Sequence, residues 1–397
     1  MKSILIALFS VALVLQAARA DDIAALLPKA RELVAKKQYL AAYELVEKAD
    51  PEHRHLEAVL FKFDLLWNYY ASRIGADMFA LRDLKDNERI EDVRGEEGTF
   101  SMFLFESQKI LKRMLDQYPD DPRIHRAMGQ FHYKQAWADP DAKTEDGKSC
   151  IDVAFEHLSK AVKGGADDDS TRFALGHMEM SRGKIAESIP HFEKCIEFNA
   201  DYAAAHFNLA SARFEVGPMK DALKPAKRAI ELYSDPALKS DAASLTGDIL
   251  AALGENKDSL RHYEMADEIQ PDAYPNIKSL LLARLRQDSP ESEATALRLM
   301  NLDPENPTVF SDLEKIYMAA EKTGNLIGIY KAQLESKEKD RSPVVTGNLH
   351  FYTARLCLES EPKLARQHFS DAKLFFEKEF PKDHQVFQAI DLYLKEE

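Results

Sequence analysis

The sequence predicts an all-α protein built from successive antiparallel helix pairs. Two observations lead to this prediction. The chain of 397 residues contains only 15 glycines and 17 prolines, and the helix formers Ala, Leu, Glu and Lys dominate it. Similar segments also recur at a spacing of 34 residues, which is typical of helical-repeat arrays. A hydrophobic content of 45% and a charged content of 30% indicate a chain that folds around a core.

The first twenty residues predict a secretory signal peptide. Lys2 precedes an apolar run over residues 4–15, and the small-residue ending Ala18-Arg19-Ala20 follows it. The run is shorter than the roughly 20 residues that a helix needs to span a bilayer. We therefore expect cleavage before Asp21 and export to the periplasm or the extracellular space. No later stretch is apolar enough for membrane insertion of the mature chain.

Residues 21–120 are predicted to form an N-terminal helical region, either degenerate repeats or a cap on the array that follows. Segments 38–52, 56–74 and 99–122 have the apolar spacing of amphipathic or buried helices. Residues 85–98 between them are highly charged and end in glycine, which indicates an exposed loop or a frayed helix end.

The repeat is clearest over residues 169–271. Leu175-Gly176 and Leu209-Ala210 occupy the same place in units 34 residues apart, and Gly247 fills that place in the next unit. This order of small and large residues resembles that of the tetratricopeptide repeat family. The repeats that carry the resemblance begin at Asp169, Ala203 and Ser240.

Weaker copies of the motif extend the resemblance over residues 120–380. Met128-Gly129 marks a first helix, and Leu158 marks its partner after about thirteen extra residues near 137–149. Residues 121–397 are therefore predicted to form a tetratricopeptide-like repeat array with an insertion at that point. Gly and Ala are expected where the helices come closest, since stacking helix pairs buries one continuous core.

The resemblance implies a right-handed superhelical solenoid whose first helices line a concave groove. By repeat register, the groove-facing positions are Arg126, Gln130, Tyr133, Phe173, His177, Met180, Phe207, Ser211 and Phe214. This mixture of aromatic and polar side chains suits an extended peptide or a helix of a partner protein. The alternative is that several of the aromatic side chains are partly buried in the core.

The sequence predicts no catalytic residue, no metal ligand and no cofactor. The stretch 191–195, "HFEKC", has a histidine and a cysteine on one helical face, but Cys195 stands where other repeats have alanine. The chain has three cysteines, too few for a disulfide framework. Cys150 follows the polar insertion, so it is either exposed, and able to pair with another chain, or buried under the next helix.

The net charge of the chain limits the classes of partner that it is expected to bind. The signal segment contains two basic residues, so the mature chain has 51 Lys and Arg against 67 Asp and Glu. The resulting negative net charge disfavours nucleic acid and anionic lipid as partners. The oligomeric state stays open.

These observations predict a non-catalytic scaffold or adaptor of the cell envelope or secreted space, which binds a partner segment in the groove. One alternative is a subunit of a secretion or polysaccharide-export assembly. Another is an enzyme-associated ligand-binding protein that uses the N-terminal region, where candidate pocket residues are Trp67, Tyr69, Tyr70 and Arg73. The alternative is that these aromatic side chains belong to the hydrophobic core.

Overall fold

The computed structural model describes residues 20–94, 101–336 and 341–395. The chain forms two compact units that divide between Lys184 and Ile185, so the predicted boundary at residue 120 falls inside the first unit. The predicted signal peptide lies outside the described residues, apart from Ala20. Among the described residues, no helix combines the length and the apolar character needed to cross a membrane.

The first unit contains eight helices and three short strands among its described residues. Its elements are α1 (Ala20–Ala35), α2 (Tyr39–Ala49), α3 (Leu56–Tyr69), β1 (Ser72–Ile74), β2 (Met78–Ala80), α4 (Ile90–Val93), β3 (Met102–Leu104), α5 (Ser107–Gln117), α6 (Pro122–Ala138), α7 (Cys150–Lys163) and α8 (Asp169–Ser181). Helices α1 and α2 pack as one pair, and α6 and α7 as another. Helix α8 packs on α6 and α7, and α3 packs on α6.

The described part of the second unit is entirely helical. Its elements are α9 (Ile185–Phe198), α10 (Ala203–Val216), α11 (Met219–Leu232), α12 (Pro236–Ala252), α13 (Asn256–Ile269), α14 (Tyr274–Arg286), α15 (Ser292–Leu302), α16 (Pro307–Ala319), α17 (Thr323–Glu335), α18 (Pro343–Cys357), α19 (Pro362–Phe376) and α20 (Gln385–Lys395). Consecutive helices pack as pairs from α10–α11 to α18–α19. The predicted all-α class with tetratricopeptide-like helix pairs is confirmed.

Close helix approach depends on glycine at the predicted positions. A Cβ atom added to Gly129 would lie 2.5 Å from the Leu158 side chain, and one added to Gly247 would lie 2.7 Å from the Tyr263 ring. The Tyr263 hydroxyl donates a 2.6 Å hydrogen bond to Asp248 Oδ1, which fixes the ring in place. The glycines therefore make room for the large side chain of the opposite helix.

The small-residue positions of the second helices are all buried. Cys195 is fully inaccessible to solvent, as are the residues in the equivalent positions of the other repeats, Ala161, Ala229, Ala266 and Ala372. Cys195 thus serves as a small apolar side chain, as the repeat register predicts. Cys150 and Cys357 are also buried and unpaired, so of the two alternatives for Cys150 the structure shows the buried one.

The predicted insertion forms the loop between α6 and α7. It closes on itself through an antiparallel bridge between Lys143 and Ser149, and Thr144 N donates a 2.9 Å hydrogen bond to Lys148 O. Gly147 has a φ of +80°, which suits the tight reversal between these two segments. Because the loop is folded back in this way, α7 still packs against α6 despite the extra residues.

The prediction that residues 21–120 are helical is wrong for residues 72–80 and 102–104. Strands β1, β2 and β3 form an antiparallel sheet in that order, with Arg73 opposite Phe79 and Phe79 opposite Phe103. Gly75 turns the β1–β2 hairpin with a φ of +61°. Helix α3 ends at Tyr69 and α5 begins only at Ser107, so both predicted helices are shorter than expected. Residues 85–94 are a loop and the single turn α4, in line with the predicted loop.

We expect Gly247→Ala to lower the free energy of unfolding by about 1–3 kcal/mol, because the new methyl group overlaps the fixed Tyr263 ring. Gly328→Ala is the matched control. Gly328 is exposed within α17, and no atom lies within 4 Å of the Cβ position. The control should be neutral or stabilising by up to about 1 kcal/mol, since alanine favours helix. Urea unfolding followed by circular dichroism measures both, and equal effects at the two sites would contradict the packing argument.

Candidate binding surface

The predicted groove positions of the first unit lie on two adjacent helices. Arg126, Gln130 and Tyr133 are on α6, Phe173 and His177 are on α8, and all five are half-buried. Met180, the remaining predicted position of this unit, is also half-buried near the end of α8. The resemblance therefore selected neighbouring side chains from segments that are about forty residues apart in the sequence.

The polar members of this set are engaged inside the protein. The Arg126 guanidinium forms ion pairs with Asp168 at 2.8 Å and with Asp64 at 3.1 Å. Gln130 Nε2 donates a 2.9 Å hydrogen bond to Ser170 Oγ. These bonds connect α6 to the start of α8 and to α3, so Arg126 and Gln130 primarily hold the helices in place.

The aromatic members form a ring cluster, which we call the aromatic cluster: Tyr133, Trp137, Phe173 and His177. The Trp137 and His177 ring centroids are 4.8 Å apart, and Phe173 lies stacked 6.3 Å from His177. Trp137 is 63% exposed although it is one of the largest apolar side chains in the chain. Burial lowers the pKa of His177, so its ring is neutral near pH 7 and packs as an aromatic group.

Trp137 was missed by the sequence prediction. It follows Tyr133 by four residues, so it lies one helical turn further along the same face of α6. That spacing was available in the sequence. The repeat register assigns three groove positions to each first helix, and in α6 the third of them is Tyr133, so Trp137 is not included.

The three predicted positions of the second unit lie on α10 and are all half-buried. Phe207 makes an edge contact with Tyr233, with ring centroids 6.4 Å apart. Phe214 packs against a buried cluster that includes Ala210 and Ile249. Phe214 therefore contributes to the core of this unit, as the alternative interpretation expected for some aromatic positions. Ser211 lies between the two aromatic residues in the register.

A cleft of about 400 Å³ adjoins the aromatic cluster. Its walls include the residues that define it here as the cationic cleft: Trp67, Tyr70, Arg73, Arg94, Lys134 and Trp137. Trp137 belongs to both features, so they form one continuous surface of the first unit. Of the alternative pocket residues predicted from the sequence, Tyr70 and Arg73 line this cleft, Trp67 is 3% exposed at its base, and Tyr69 instead stacks on Tyr39 at 4.4 Å.

The cations of the cleft are held by aromatic rings and backbone carbonyls. The Arg73 guanidinium lies 5.0 Å from the Trp67 ring centroid and 5.3 Å from that of Tyr70. The Arg94 guanidinium lies 4.3 Å from the Tyr70 ring and donates a 2.7 Å hydrogen bond to Asn68 O. Within the part of the chain that the structure describes, neither arginine forms an ion pair with a carboxylate.

Lys134 is the third cation of the cleft. Its Nζ donates a 2.8 Å hydrogen bond to Trp67 O and lies 5.2 Å from the Trp67 ring centroid. Burial lowers the pKa of Lys134 to about 8, and repulsion by Arg73 and Arg94 adds to this effect, while Asp64 opposes it. Among the described residues no carboxylate forms an ion pair with these three cations, and their positive potential favours an anionic group.

The second unit has a larger cleft of about 810 Å³ between α9, α10 and α11. Its floor is apolar and includes Ile196, Leu209 and Leu223. Its basic rim includes Lys220, Lys224, Lys227 and Arg228 of α11. Leu209 is on α10 but is not one of the predicted groove positions, so the prediction missed this cleft. The spacing of the four basic residues at positions 220, 224, 227 and 228 is a helical signal that the sequence already contained.

Comparison with known proteins finds similar solved structures. No protein-family model and no curated protein matches the chain. A crystal structure of MamA is 21% identical over 49% of this chain and 96% of its own, with a TM-score of 0.34. A tetratricopeptide repeat protein from Parabacteroides merdae is 17% identical over 68% of this chain and 98% of its own, with a TM-score of 0.41.

A third similar structure is YrrB, described as a tetratricopeptide repeat protein with an unusual peptide-binding site. It is 14% identical over 47% of this chain and 95% of its own, with a TM-score of 0.37. At these identities and TM-scores, the similarities assign neither a function nor a partner to this chain.

We expect the Lys134 side chain to titrate near pH 8, measured by carbon-13 NMR of the lysine ε-carbons. Its folded pKa lies below the ordinary value of 10.5, so the unfolded chain holds the proton more tightly between these values, and stability rises with pH across that window. Arg73→Gln removes a repelling cation and should raise the pKa. Arg261→Gln, a control in the second unit, should leave it unchanged, and a wild-type midpoint above pH 10 would contradict the clustered-cation geometry.

Proposed function

We propose that this chain, which has the tetratricopeptide-like fold, is a non-catalytic scaffold that binds a segment of a partner protein. The binding surface comprises the aromatic cluster and the cationic cleft of the first unit. The partner segment carries an apolar or aromatic side chain and an acidic group. The chain acts in the cell envelope or the secreted space, to which its N-terminal sequence directs it.

The observation that carries this proposal is the exposure of Trp137 between an aromatic surface and three cations. An exposed tryptophan next to other rings is the composition of an interface hot spot, because it can bury a large apolar area at little entropic cost. The formal net charge of the chain is −14, so a cluster of three cations is opposite in sign to the average charge of its surface. Together they favour a partner segment that is apolar and acidic.

The proposal includes no catalytic role because of the side chains that form the surface. Arg126 and Gln130 are bound to other residues of the protein, and His177 packs within a ring cluster. Arg73 and Arg94 are donor groups that bind and orient an anion. Lys134 Nζ, whose pKa is lowered to about 8, donates a hydrogen bond to Trp67 O and lies against the Trp67 ring.

A second candidate function is supported by the cationic cleft alone. Its volume of about 400 Å³ and its aromatic walls also suit a small anionic ligand, as the alternative of an N-terminal ligand site proposes. The two functions separate experimentally. A partner segment needs both Trp137 and Arg73, whereas a ligand held inside the cleft needs Arg73 and is little affected by changes at Phe173 on α8.

The test begins with capture of binding proteins from an envelope extract of the source organism on the immobilised chain. The double variant Trp137→Ala with Arg73→Gln should lose a captured protein that the wild type retains. Leu374→Ala with Arg261→Gln is the matched control, since these side chains are 59% and 76% exposed on other helices. The control should retain the same protein, and circular dichroism should show equal helicity in all three chains.

The affinity of the captured partner then gives the magnitude. We expect each of Trp137→Ala and Phe173→Ala to weaken binding about tenfold or more, as loss of a hot-spot side chain does. Arg73→Gln should weaken binding and reduce its dependence on salt, because one charge contact is removed. Unchanged affinity in the double variant would place the binding site elsewhere and overturn the proposal.

A further inference from the structure

Two histidines and an aspartate meet near the C-terminal end of the second unit. His350 lies on α18, and His368 and Asp371 lie on its partner helix α19. The two Nδ1 atoms are 2.8 Å apart, and His350 Nδ1 is 3.9 Å from Asp371 Oδ2. One potential ligand atom from each residue lies within 4.8 Å of the other two, and all three residues are half-buried.

The helices set this arrangement. His368 and Asp371 are three residues apart on α19, so both side chains project from the same face of the helix. Helix α18 packs closely against α19 and presents His350 to that face. The Phe375 ring stacks on the His350 ring at 5.6 Å with an angle of 15°, which holds the imidazole in its orientation. The three ligand groups are therefore placed by rigid elements.

The distances fit a metal after a small adjustment. Two facing neutral Nδ1 atoms share one hydrogen. When that hydrogen moves to Nε2 of its own ring, both Nδ1 atoms present a lone pair to a metal ion. Zinc–nitrogen bonds of ~2.0–2.1 Å in tetrahedral geometry separate the two nitrogens by about 3.3 Å. The rings need to move apart by roughly half an ångström from the 2.8 Å contact, which a change in side-chain torsions provides.

A second histidine pair in the first unit provides a natural comparison. His125 on α6 and His157 on α7 also have Nδ1 atoms 2.8 Å apart, with ring centroids at 5.0 Å. Here His125 Nε2 lies 3.0 Å from Pro119 O. Among the described residues, only the group of His350, His368 and Asp371 brings three such ligand atoms together. The His125 pair thus has the same imidazole contact without a carboxylate.

The geometry points to a binding site for one divalent transition-metal ion, zinc in the first instance, held by His350, His368 and Asp371. Two imidazoles and one carboxylate select transition metals over Mg²⁺ and Ca²⁺, which prefer oxygen ligands alone. Three protein ligands leave a fourth position open for water or for a group of another molecule. The ion joins α18 to α19, so it stabilises the last helix pair of the described chain.

The sequence predicts no metal site because its histidines recur beside a core position of the second helices, at 157, 191, 262 and 368. That pattern assigns His368 to a structural position and gives no indication that His350 and Asp371 lie beside it. His350 is on a different helix, and Asp371 is close to His368 only because both are on one helical face. This inference does not depend on the proposed protein partner.

The test uses untagged, chelator-treated full-length mature chain and zinc chloride, followed by isothermal titration calorimetry. We expect one zinc ion per chain and a higher thermal unfolding midpoint with zinc present. Cobalt(II) should give the visible absorption of a tetrahedral site. Asp371→Asn, which keeps the size of the side chain, should weaken zinc binding at least tenfold, and His368→Gln should do the same.

His157→Gln is the matched control and should leave zinc affinity and stoichiometry unchanged. Magnesium chloride should give no stoichiometric binding at the same concentrations. Some histidine NMR resonances should shift when zinc is added. These zinc-dependent shifts should be lost in His350→Gln and kept in His157→Gln. The inference would be overturned if several ions bind, or if Asp371→Asn binds zinc as tightly as the wild type. It would also be overturned if no zinc binds at ~0.1 mM.

Discussion

The helix pairs of this protein depend on the close approach of a small residue on one helix to a large side chain on the next. At Gly129 and Gly247 there is no space for even one methyl group in front of Leu158 and Tyr263. Such contacts set the distance between the two helices of a pair, and this distance determines which side chains of the neighbouring helices meet. The aromatic cluster on α6 and α8 and the histidine pairs both follow from helices held at this spacing.

Charge is distributed unevenly over this framework. The chain is acidic on average, yet the cationic cleft contains three cations that form no ion pair among the described residues. In the basic rim of the second unit's cleft, Arg228 is paired with Asp201 and Glu231. Elsewhere cations are mostly neutralised locally, as in the bidentate contact between Arg298 and Asp267. Burial is the main cause of the lowered pKa of Lys134, and repulsion by Arg73 and Arg94 adds to it, so holding these charges together costs free energy. Clustered cations are expected at a surface that binds an anionic partner, because the bound anion offsets their repulsion.

The sequence was informative wherever the repeat period held. It predicted the helix pairs, the buried Cys195 and a close approach of helices at Gly247, because each follows from the repeat register. It failed at residues 72–80 and 102–104, where segments of three residues form strands too short to show an alternating pattern. The cationic cleft was partly foreseen through Tyr70 and Arg73. Lys134 and Arg94 join them only through packing of α3 against α6 and through the loop beside α4.

The three cysteines have a consequence for how opening of the chain can be observed. Cys150, Cys195 and Cys357 are buried on α7, α9 and α18, and none is in a disulfide. Burial also raises the pKa of the Cys150 and Cys357 thiols, so the reactive thiolate is scarce as well as shielded. Alkylation at each thiol must wait until its own helices separate. The rates at the three positions therefore report local unfolding in three different segments of one native chain, without any added label.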